Sequence, residues 1–198
     1  MIPRQFAFAT IILCTLTLGM SFYVWELRHR ETITPRPQPE AAHVSPPTAG
    51  PTENVTAYVP YDAAGELRAQ TISIPLTSGR QERGEQLVRG LLKIYLQKNS
   101  PHPMSAGAEI HDLYLVDPGV AVIDVNSAFA DGQISGVLPE ELTVLSLVQT
   151  LSSNIPGITK VKILADGKER ETLAGHADLT EFYDVSQVSE AAKQLSAQ

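Results

Sequence analysis

Histidine and cysteine, the residues that most often hold zinc or act as nucleophiles, are few and widely spaced in this chain. The five histidines are His29, His43, His102, His111 and His176, and the single cysteine is Cys14. Zinc sites usually take such ligands in closely spaced pairs. We therefore interpret each histidine as a solvated or capping residue. We predict no zinc site, and no thiol chemistry after the first 25 residues.

Motifs for nucleophilic catalysis and phosphate binding are missing from the sequence. Many serine hydrolases carry Gly-x-Ser-x-Gly, which places the nucleophile on a strained turn. Phosphate loops carry Gly-x-x-x-x-Gly-Lys or Gly-x-Gly-x-x-Gly at the start of a helix. None of these patterns occurs in the chain. The sequence therefore predicts no serine triad and no nucleotide cofactor.

One acidic segment has a faint likeness to a calcium-binding loop. Asp124, Asn126 and Asp131 would supply its oxygen ligands. An EF-hand loop needs a ligand at its fifth position and glycine at its sixth, but these positions hold Ala128 and Phe129. We interpret the segment as a strand end followed by a turn, and we predict no metal site there.

Two adjacent carboxylates, Glu140 and Glu141, are the best pair for acid–base chemistry of the glycosidase type. As neighbours on a helix they would point in different directions. Their place at the start of a predicted helix already explains them, because acidic side chains there favour the positive end of the helix dipole. We predict no catalytic residue, and an enzyme with an unrecognised site is kept as the least favoured alternative.

The elements that would position these residues form a small α+β domain. The predicted strands cover residues 55–60, 67–75, 112–116, 120–125, 158–164 and 169–173, and the predicted helices cover 80–98 and 139–153. Hydrophobic periodicity carries these assignments, and the Asp166-Gly167 pair is typical of a tight hairpin turn. The βαββαβ order, with short extra strands, favours a small mixed sheet with two helices on one face.

The first 25 residues predict a membrane anchor. Residues 6–25 carry no charge, and as a helix they would span about 30 Å, the thickness of the hydrocarbon core. A cleaved signal peptide stays open, because Thr17 and Gly19 are small residues that could flank a cleavage site. Leu13 precedes Cys14, so the small residue that a lipoprotein signal needs is missing.

Composition changes sharply on either side of the predicted domain. Residues 26–53 contain six prolines, which predicts a disordered, extended spacer. Residues 54–183 form the predicted domain, and the polar residues 184–198 are predicted to be a flexible tail.

The formal net charge of −7 makes binding to nucleic acid or adhesion to anionic lipid unfavourable.

The domain resembles the GerMN family, named after a sporulation and germination protein. The matching segments are 140–142, 147–151, 156–158, 161–164, 166–168 and the Gly-His-x-Asp-Leu motif within 173–179, with a similar hairpin at 113–129. The resemblance covers residues 54–183. It implies a βαββαβ fold similar to ring-building modules of secretion systems, a location outside the cytoplasm and no known enzyme activity.

Flanking charge and family resemblance disagree about orientation. Arg4 precedes the apolar segment, whereas Arg28 and Arg30 follow it, so the positive-inside rule favours a cytoplasmic domain by one residue. The resemblance implies an extracytoplasmic domain, on the periplasmic or outer side of a single-pass protein. We give the resemblance more weight, because a margin of one charge is small.

These observations predict a non-enzymatic adaptor without a cofactor. In this hypothesis the anchored domain binds a neighbouring envelope protein or associates with itself, in sporulation-related or other envelope assemblies. The alternative is a module that binds cell wall or a small ligand, with Tyr58, Tyr61, Tyr95 and Tyr114 as stacking surfaces. The sequence names neither the partner nor the interface residues.

Overall fold

The computed structural model describes residues 50–196 and, before them, Thr17, residues 20–23 and Trp25, which are helical. The predicted anchor at 1–25 and spacer at 26–53 therefore lie largely outside the described residues. Among the residues that are described, no helix combines the length and apolar character needed to cross a membrane. The domain belongs to a compact unit that spans Ala49–Gln198.

The domain is a mixed α+β structure, so the predicted class is confirmed. Its elements in chain order are β1 (Thr52–Tyr61), β2 (Glu66–Pro75), α1 (Arg80–Tyr95), β3 (Ile110–Val116), β4 (Val120–Val125), α2 (Ser127–Asp131), α3 (Val137–Asn154), β5 (Lys160–Ala165), β6 (Tyr183–Asp184) and α4 (Val185–Ser196). The first helix, predicted from hydrophobic periodicity, turns its apolar residues into the core: Leu87, Val88, Leu91, Leu92 and Tyr95 are buried.

The described strands form two sheets, which corrects the prediction of one small sheet with two helices on one face. β1 and β2 make an antiparallel hairpin of their own. The other sheet has the order β3-β4-β5-β6, in which β4 and β5 are parallel and the outer pairs are antiparallel. Helix α1 contacts both sheets. A Cβ added at Gly84 would lie 2.9 Å from a Leu113 methyl group of β3, whereas one at Gly90 would lie 3.0 Å from Ile72 of β2.

The hairpin is held to the helices through the edge of β1 that does not pair with β2. Thr150 Oγ1 accepts from the backbone N–H of Tyr58 at 3.0 Å, and Ser146 donates to the Tyr58 carbonyl. Asn154 donates to the Thr56 carbonyl at 2.7 Å and accepts from its N–H at 3.3 Å. An unpaired strand edge normally seeks another strand. Here side chains of α3 take that place.

Two predicted segments differ from the structure, and the first is the C-terminal tail. Residues Val185–Ser196 form α4 instead of a flexible tail. Val188 and Ala192, one turn apart, are buried, and the Ser189 hydroxyl donates to Gln149 Oε1 of α3 at 3.0 Å. Burial of this narrow apolar stripe stabilises a helix whose overall composition is polar.

The second difference is the predicted strand at 169–173, which is a loop. The preceding turn is as predicted: Asp166 and Gly167 both have positive φ, 51° and 70°, as a tight hairpin turn requires. Only Lys168 returns to pair with Ala165, as a single bridge. The chain then leaves the sheet, and in the loop that comes next the backbone N–H groups of Ala174, His176 and Ala177 donate to Glu140.

We predict that Asn154→Ala lowers the free energy of unfolding by about 1–3 kcal/mol, because the Thr56 backbone groups lose their partner. Urea denaturation of the full-length protein measures the change. Ser153→Ala is the matched control, since Ser153 is exposed on the same turn, and it should change stability by less than about 0.5 kcal/mol. Equal effects of the two substitutions would contradict the proposed role of the β1 edge.

Candidate functional site

Glu140, in the first turn of α3, is a fully buried carboxylate (0% exposed). Both of its oxygens accept hydrogen bonds from described residues. Oε1 accepts from Gly136 N (3.1 Å), His176 Nδ1 (2.9 Å) and Ser135 Oγ (3.4 Å), and Oε2 accepts from Ala174 N (3.0 Å), His176 N (2.8 Å) and Ala177 N (2.9 Å). A carboxylate at the start of α3 thereby fixes a loop more than thirty residues later.

Burial alone would raise the pKa of Glu140. The hydrogen bonds from Ala177, His176 and Ala174 outweigh that effect and lower the pKa from 4.5 to about 2. A shift of that size corresponds to about 3 kcal/mol in favour of the folded state. This contribution is complete above about pH 4.5 and is lost as the pH falls through about 2, because protonation then favours the unfolded chain.

An open groove of about 470 Å³ lies beside this loop, between α3, residues 176–184 and α4. We call it the α3–α4 groove. Its apolar lining includes Val137, Val144, Leu145, Phe182 and Val188. Val137 and Phe182 are 66% and 51% exposed. The volume falls within the range of ligand pockets, and exposed apolar side chains around such a pocket are typical of a binding surface.

The rim of the groove is acidic. Glu141, Asp178, Glu181 and Asp184 line it. Hydrogen bonds from the side chain and backbone of Thr180 lower the pKa of Asp178, and those from Ser186 lower the pKa of Asp184. Burial raises the pKa of Tyr183 to about 12, and the charges of Asp178, Glu141 and Glu140 add to the increase. The groove therefore has a negative potential at neutral pH.

His102 is neither solvated nor a cap, which corrects that interpretation. The side chain is buried (1% exposed), with Nδ1 2.6 Å from Asp62 Oδ1 and Nε2 2.8 Å from Thr143 Oγ1. The Asp–His–hydroxyl order is that of a nucleophilic triad. However, Thr143 is 0% exposed and its hydroxyl also contacts Gln133 Oε1 at 2.6 Å. The network gives no access to a substrate and instead ties two loops to α3.

The residues of the faint calcium-like segment have local partners in the structure. Asp124 accepts from Gly167 N at 2.8 Å, Asn126 caps α2 by accepting from Phe129 N at 2.8 Å, and Asp131 pairs with Arg170. His111 Nδ1 lies 3.8 Å from Asp124. Within the described part of the chain, no group of three or more histidine, cysteine or acidic residues could hold a metal ion.

The four tyrosines suggested as stacking surfaces do not come together as one surface. Tyr95 is buried (1% exposed), with its hydroxyl 2.5 Å from Ser146 Oγ. Tyr58 and Tyr61 are partly buried against the core, and the Arg68 guanidinium covers the ring of Tyr61 at 4.3 Å. Tyr114 on β3 is 45% exposed.

Sequence analysis placed Glu140 at a helix start but missed its contacts with the distant loop. Its pairing with Glu141 as catalytic carboxylates has no support in the geometry, because Glu140 is saturated with hydrogen bonds and inaccessible. One signal in the sequence could have indicated these contacts. Glu140 lies in the first turn of a helix that is apolar over much of its surface, and a buried charge requires partners.

We predict that Glu140→Gln destabilises the fold by about 3 kcal/mol near neutral pH, because a neutral amide cannot accept from all these donors. The measurement is guanidinium denaturation of the full-length protein at about pH 7 and about pH 3. The wild type should lose stability on acidification to about pH 3, and the variant should lose about 2 kcal/mol less, because the contribution of Glu140 is lost completely only below about pH 2.

Glu141→Gln is the control for this prediction. Glu141 is exposed, so the substitution should change stability by less than about 0.5 kcal/mol. The same pH dependence in wild type and Glu140→Gln would contradict the role assigned to Glu140.

The fold is similar to solved GerMN structures. The chain matches the tandem GerMN domains of the sporulation protein GerM from Bacillus subtilis with a TM-score of 0.52 and 19% identity, covering 68% of this chain and 47% of that one. The first GerMN domain of the same protein gives a TM-score of 0.47 at 19% identity, covering 65% and 94%. A chain described as a candidate lipoprotein from Clostridium perfringens gives 0.48 at 19% identity, covering 71% and 91%.

Among curated proteins, none matches this chain significantly. Residues 47–171, more than half of the chain, match the Germane family, described as "Sporulation and spore germination". This match confirms the resemblance found in the sequence. It ends before residues 176–184 and α4, so most of the lining of the α3–α4 groove lies beyond it. The chain belongs to the Germane (GerMN) family of sporulation and spore germination domains.

Proposed function

We propose that this protein is a non-enzymatic adaptor, anchored in the membrane by residues 1–25, whose domain binds an envelope protein outside the cytoplasm. The observation that carries the proposal is the α3–α4 groove, which exposes Val137 and Phe182 beside a loop fixed by Glu140. A surface of this kind, held on rigid elements, suits the binding of another protein. Self-association through the same groove is included in the proposal.

Location and process rest on family membership and on the N-terminal sequence. The apolar run at 6–25 has the length of a membrane-spanning helix. The family is described for sporulation and spore germination, and the GerM relative is named as a sporulation protein. We therefore place the domain on the extracytoplasmic side and assign it a structural role in an envelope assembly of that type.

The specific alternative, binding of cell wall or a small ligand, has less support. Its stacking hypothesis needed several accessible tyrosines, and Tyr95 is buried while Tyr61 is covered by Arg68. The groove is lined by aliphatic side chains and carboxylates more than by aromatic faces, whereas sugar binding usually uses aromatic rings. We keep this alternative as one outcome of the crosslinking experiment.

The experiment is photo-crosslinking in intact membranes from a reactive residue placed at position 182, with position 114 as the control. Phe182 and Tyr114 are aromatic and similarly exposed, at 51% and 45%, but only Phe182 lines the groove. We expect position 182 to capture a discrete envelope protein, or a second copy of this chain, and position 114 to capture neither.

We also predict that Phe182→Ala lowers recovery of the captured protein about tenfold or more, because a few anchor side chains carry most of the binding energy of an interface. Stability should change little, because Phe182 is half exposed in the protein alone. Tyr114→Ala should leave recovery unchanged. Recovery of the monomer alone from position 182, or retention on purified cell wall without a protein partner, would contradict the adaptor proposal. Capture of cytoplasmic proteins would contradict the proposed orientation.

A further inference from the structure

We propose that the α3–α4 groove selects a cationic peptide segment of its partner, in which an apolar side chain is flanked by lysine or arginine. This inference rests on the proposed function, because it names the chemistry of the partner at the same groove. It follows from the distribution of charge and apolar surface around the groove.

The carboxylates stand on each of the three walls. Glu141 projects from α3 on the same face as Val137 and Leu145, four residues before and after it. Asp178 and Glu181 belong to the loop, and Asp184 precedes α4. A ligand whose apolar side chain enters between these walls would therefore find a carboxylate on whichever side its flanking residues lie.

The protein itself compensates these carboxylates only in part, through the charges of Lys162 near Asp178 and Lys160 near Asp184. In residues 50–196, neither Glu141 nor Glu181 takes part in an ion pair or a side-chain hydrogen bond. Asp178 and Asp184 each use Oδ1 to bind a neighbouring turn, through Thr180 and Ser186. Burying an apolar ligand against this rim would leave like charges without partners, unless the ligand supplies positive charge.

Three basic residues lie near the groove. Lys160 stands opposite Asp184 in the β5–β6 pairing, and its charge contributes to the lowered pKa of Asp184, whereas His176 and Lys162 bind other groups. His176 is bound through Nδ1 to Glu140. The Lys162 ammonium donates to the Thr180 carbonyl at 2.6 Å, lies 3.2 Å from Glu169 and sits 5.6 Å from the ring centroid of Phe182. Lys162 thus supports the back of the Phe182 ring, and the accessible face of the groove keeps its negative potential.

The apolar part of the groove explains why a cation alone is not the proposed ligand. Val144, Leu145 and Val188 form a buried floor, and Val137 and Phe182 remain exposed above it. Covering these side chains would release water from apolar surface. Affinity would then come from the apolar side chain, and discrimination between partners from the flanking charges.

The net charge of the chain also favours a basic partner. The chain has a net charge of −7, which attracts basic partners at long range and repels acidic ones. The predicted spacer of this chain also carries three arginines, Arg28, Arg30 and Arg36, among four glutamates. If that segment filled the groove, the occupant would be the chain's own spacer and not a partner's peptide. The experiment distinguishes these two occupants.

The test measures fluorescence anisotropy of three labelled peptides with full-length protein in detergent micelles. The first peptide is Gly-Lys-Phe-Leu-Arg-Gly. In the second, glutamate replaces lysine and arginine, and in the third, serine replaces phenylalanine and leucine. We expect the first peptide to bind about tenfold or more tightly than either of the others. Its affinity should decrease when the salt concentration is raised from about 0.05 M to about 0.5 M.

Substitutions connect this selectivity to the rim. The double variant Glu141→Gln with Glu181→Gln should weaken binding of the basic peptide about fivefold or more and remove its preference over the acidic peptide. Glu109→Gln is the matched control, because Glu109 is exposed outside the groove, and it should leave the preference intact. Urea denaturation verifies that the variants are folded.

Equal affinity for the basic and acidic peptides, or no binding of the basic peptide, would overturn the inference. Tighter peptide binding by a variant with Arg28, Arg30 and Arg36 all changed to serine would also overturn it, because the chain's own spacer would then be the occupant. Crosslinking of an envelope protein from position 182 that is insensitive to Glu141→Gln and Glu181→Gln would leave the adaptor function standing and remove only the charge selectivity.

Discussion

The buried carboxylate of Glu140 determines the shape of the C-terminal half of the domain. Removing such a charge from water costs several kcal/mol unless hydrogen bonds replace the lost hydration. Here three backbone N–H groups of residues 174–177 supply half of the six hydrogen bonds, and the His176 ring, the Gly136 N–H and the Ser135 hydroxyl supply the rest. The loop wraps around Glu140, and along this path its donors pair the buried charge.

The position of the loop then determines the path of the remaining chain. From Ala177 the chain runs to Phe182 and enters β6, which pairs with β5 through Tyr183 and Asp184. Helix α4 begins at the next residue and packs on α3 through Val188 and Ala192. The α3–α4 groove is the space left between these elements. Its shape therefore depends on a carboxylate that does not itself line the groove.

Other polar side chains of helix α3 also bind distant parts of the chain, as Glu140 does. Its polar residues Glu140, Thr143, Ser146, Thr150 and Asn154 follow one another at intervals of three or four, which places them on a single stripe. Each binds a distant part of the chain: Glu140 the loop, Thr143 the buried His102, and the remaining three the neighbouring helix or the edge of β1. A helix that is apolar over much of its surface thus fixes the fold through these five polar side chains, each of which has a partner.

Local pattern predicted the elements of this domain better than their assembly. The helices around residues 80–98 and 139–153, the 120–125 strand and the Asp166-Gly167 turn follow from periodicity and turn chemistry, which act over a few residues. The contacts of Glu140 and Asn154 join residues 34 to 98 positions apart, and no local pattern specifies such pairs. Helix α4 was missed because its stripe contains only a few apolar residues. The groove combines three separate segments, so it becomes visible only in the assembled structure.

The most direct test of this account is amide hydrogen exchange of the full-length protein, compared between wild type and Glu140→Gln. Exchange protection reports the local stability of each backbone N–H group. The account predicts that the substitution exposes the amides of Ala174, His176 and Ala177 to exchange and loosens the segment up to Asp184. In the variant, the amides of the β1–β2 hairpin should lose much less protection than the amides of that segment. Unchanged protection of residues 174–184 in the variant would show that Glu140 does not hold the loop, and the explanation of the groove would fail with it.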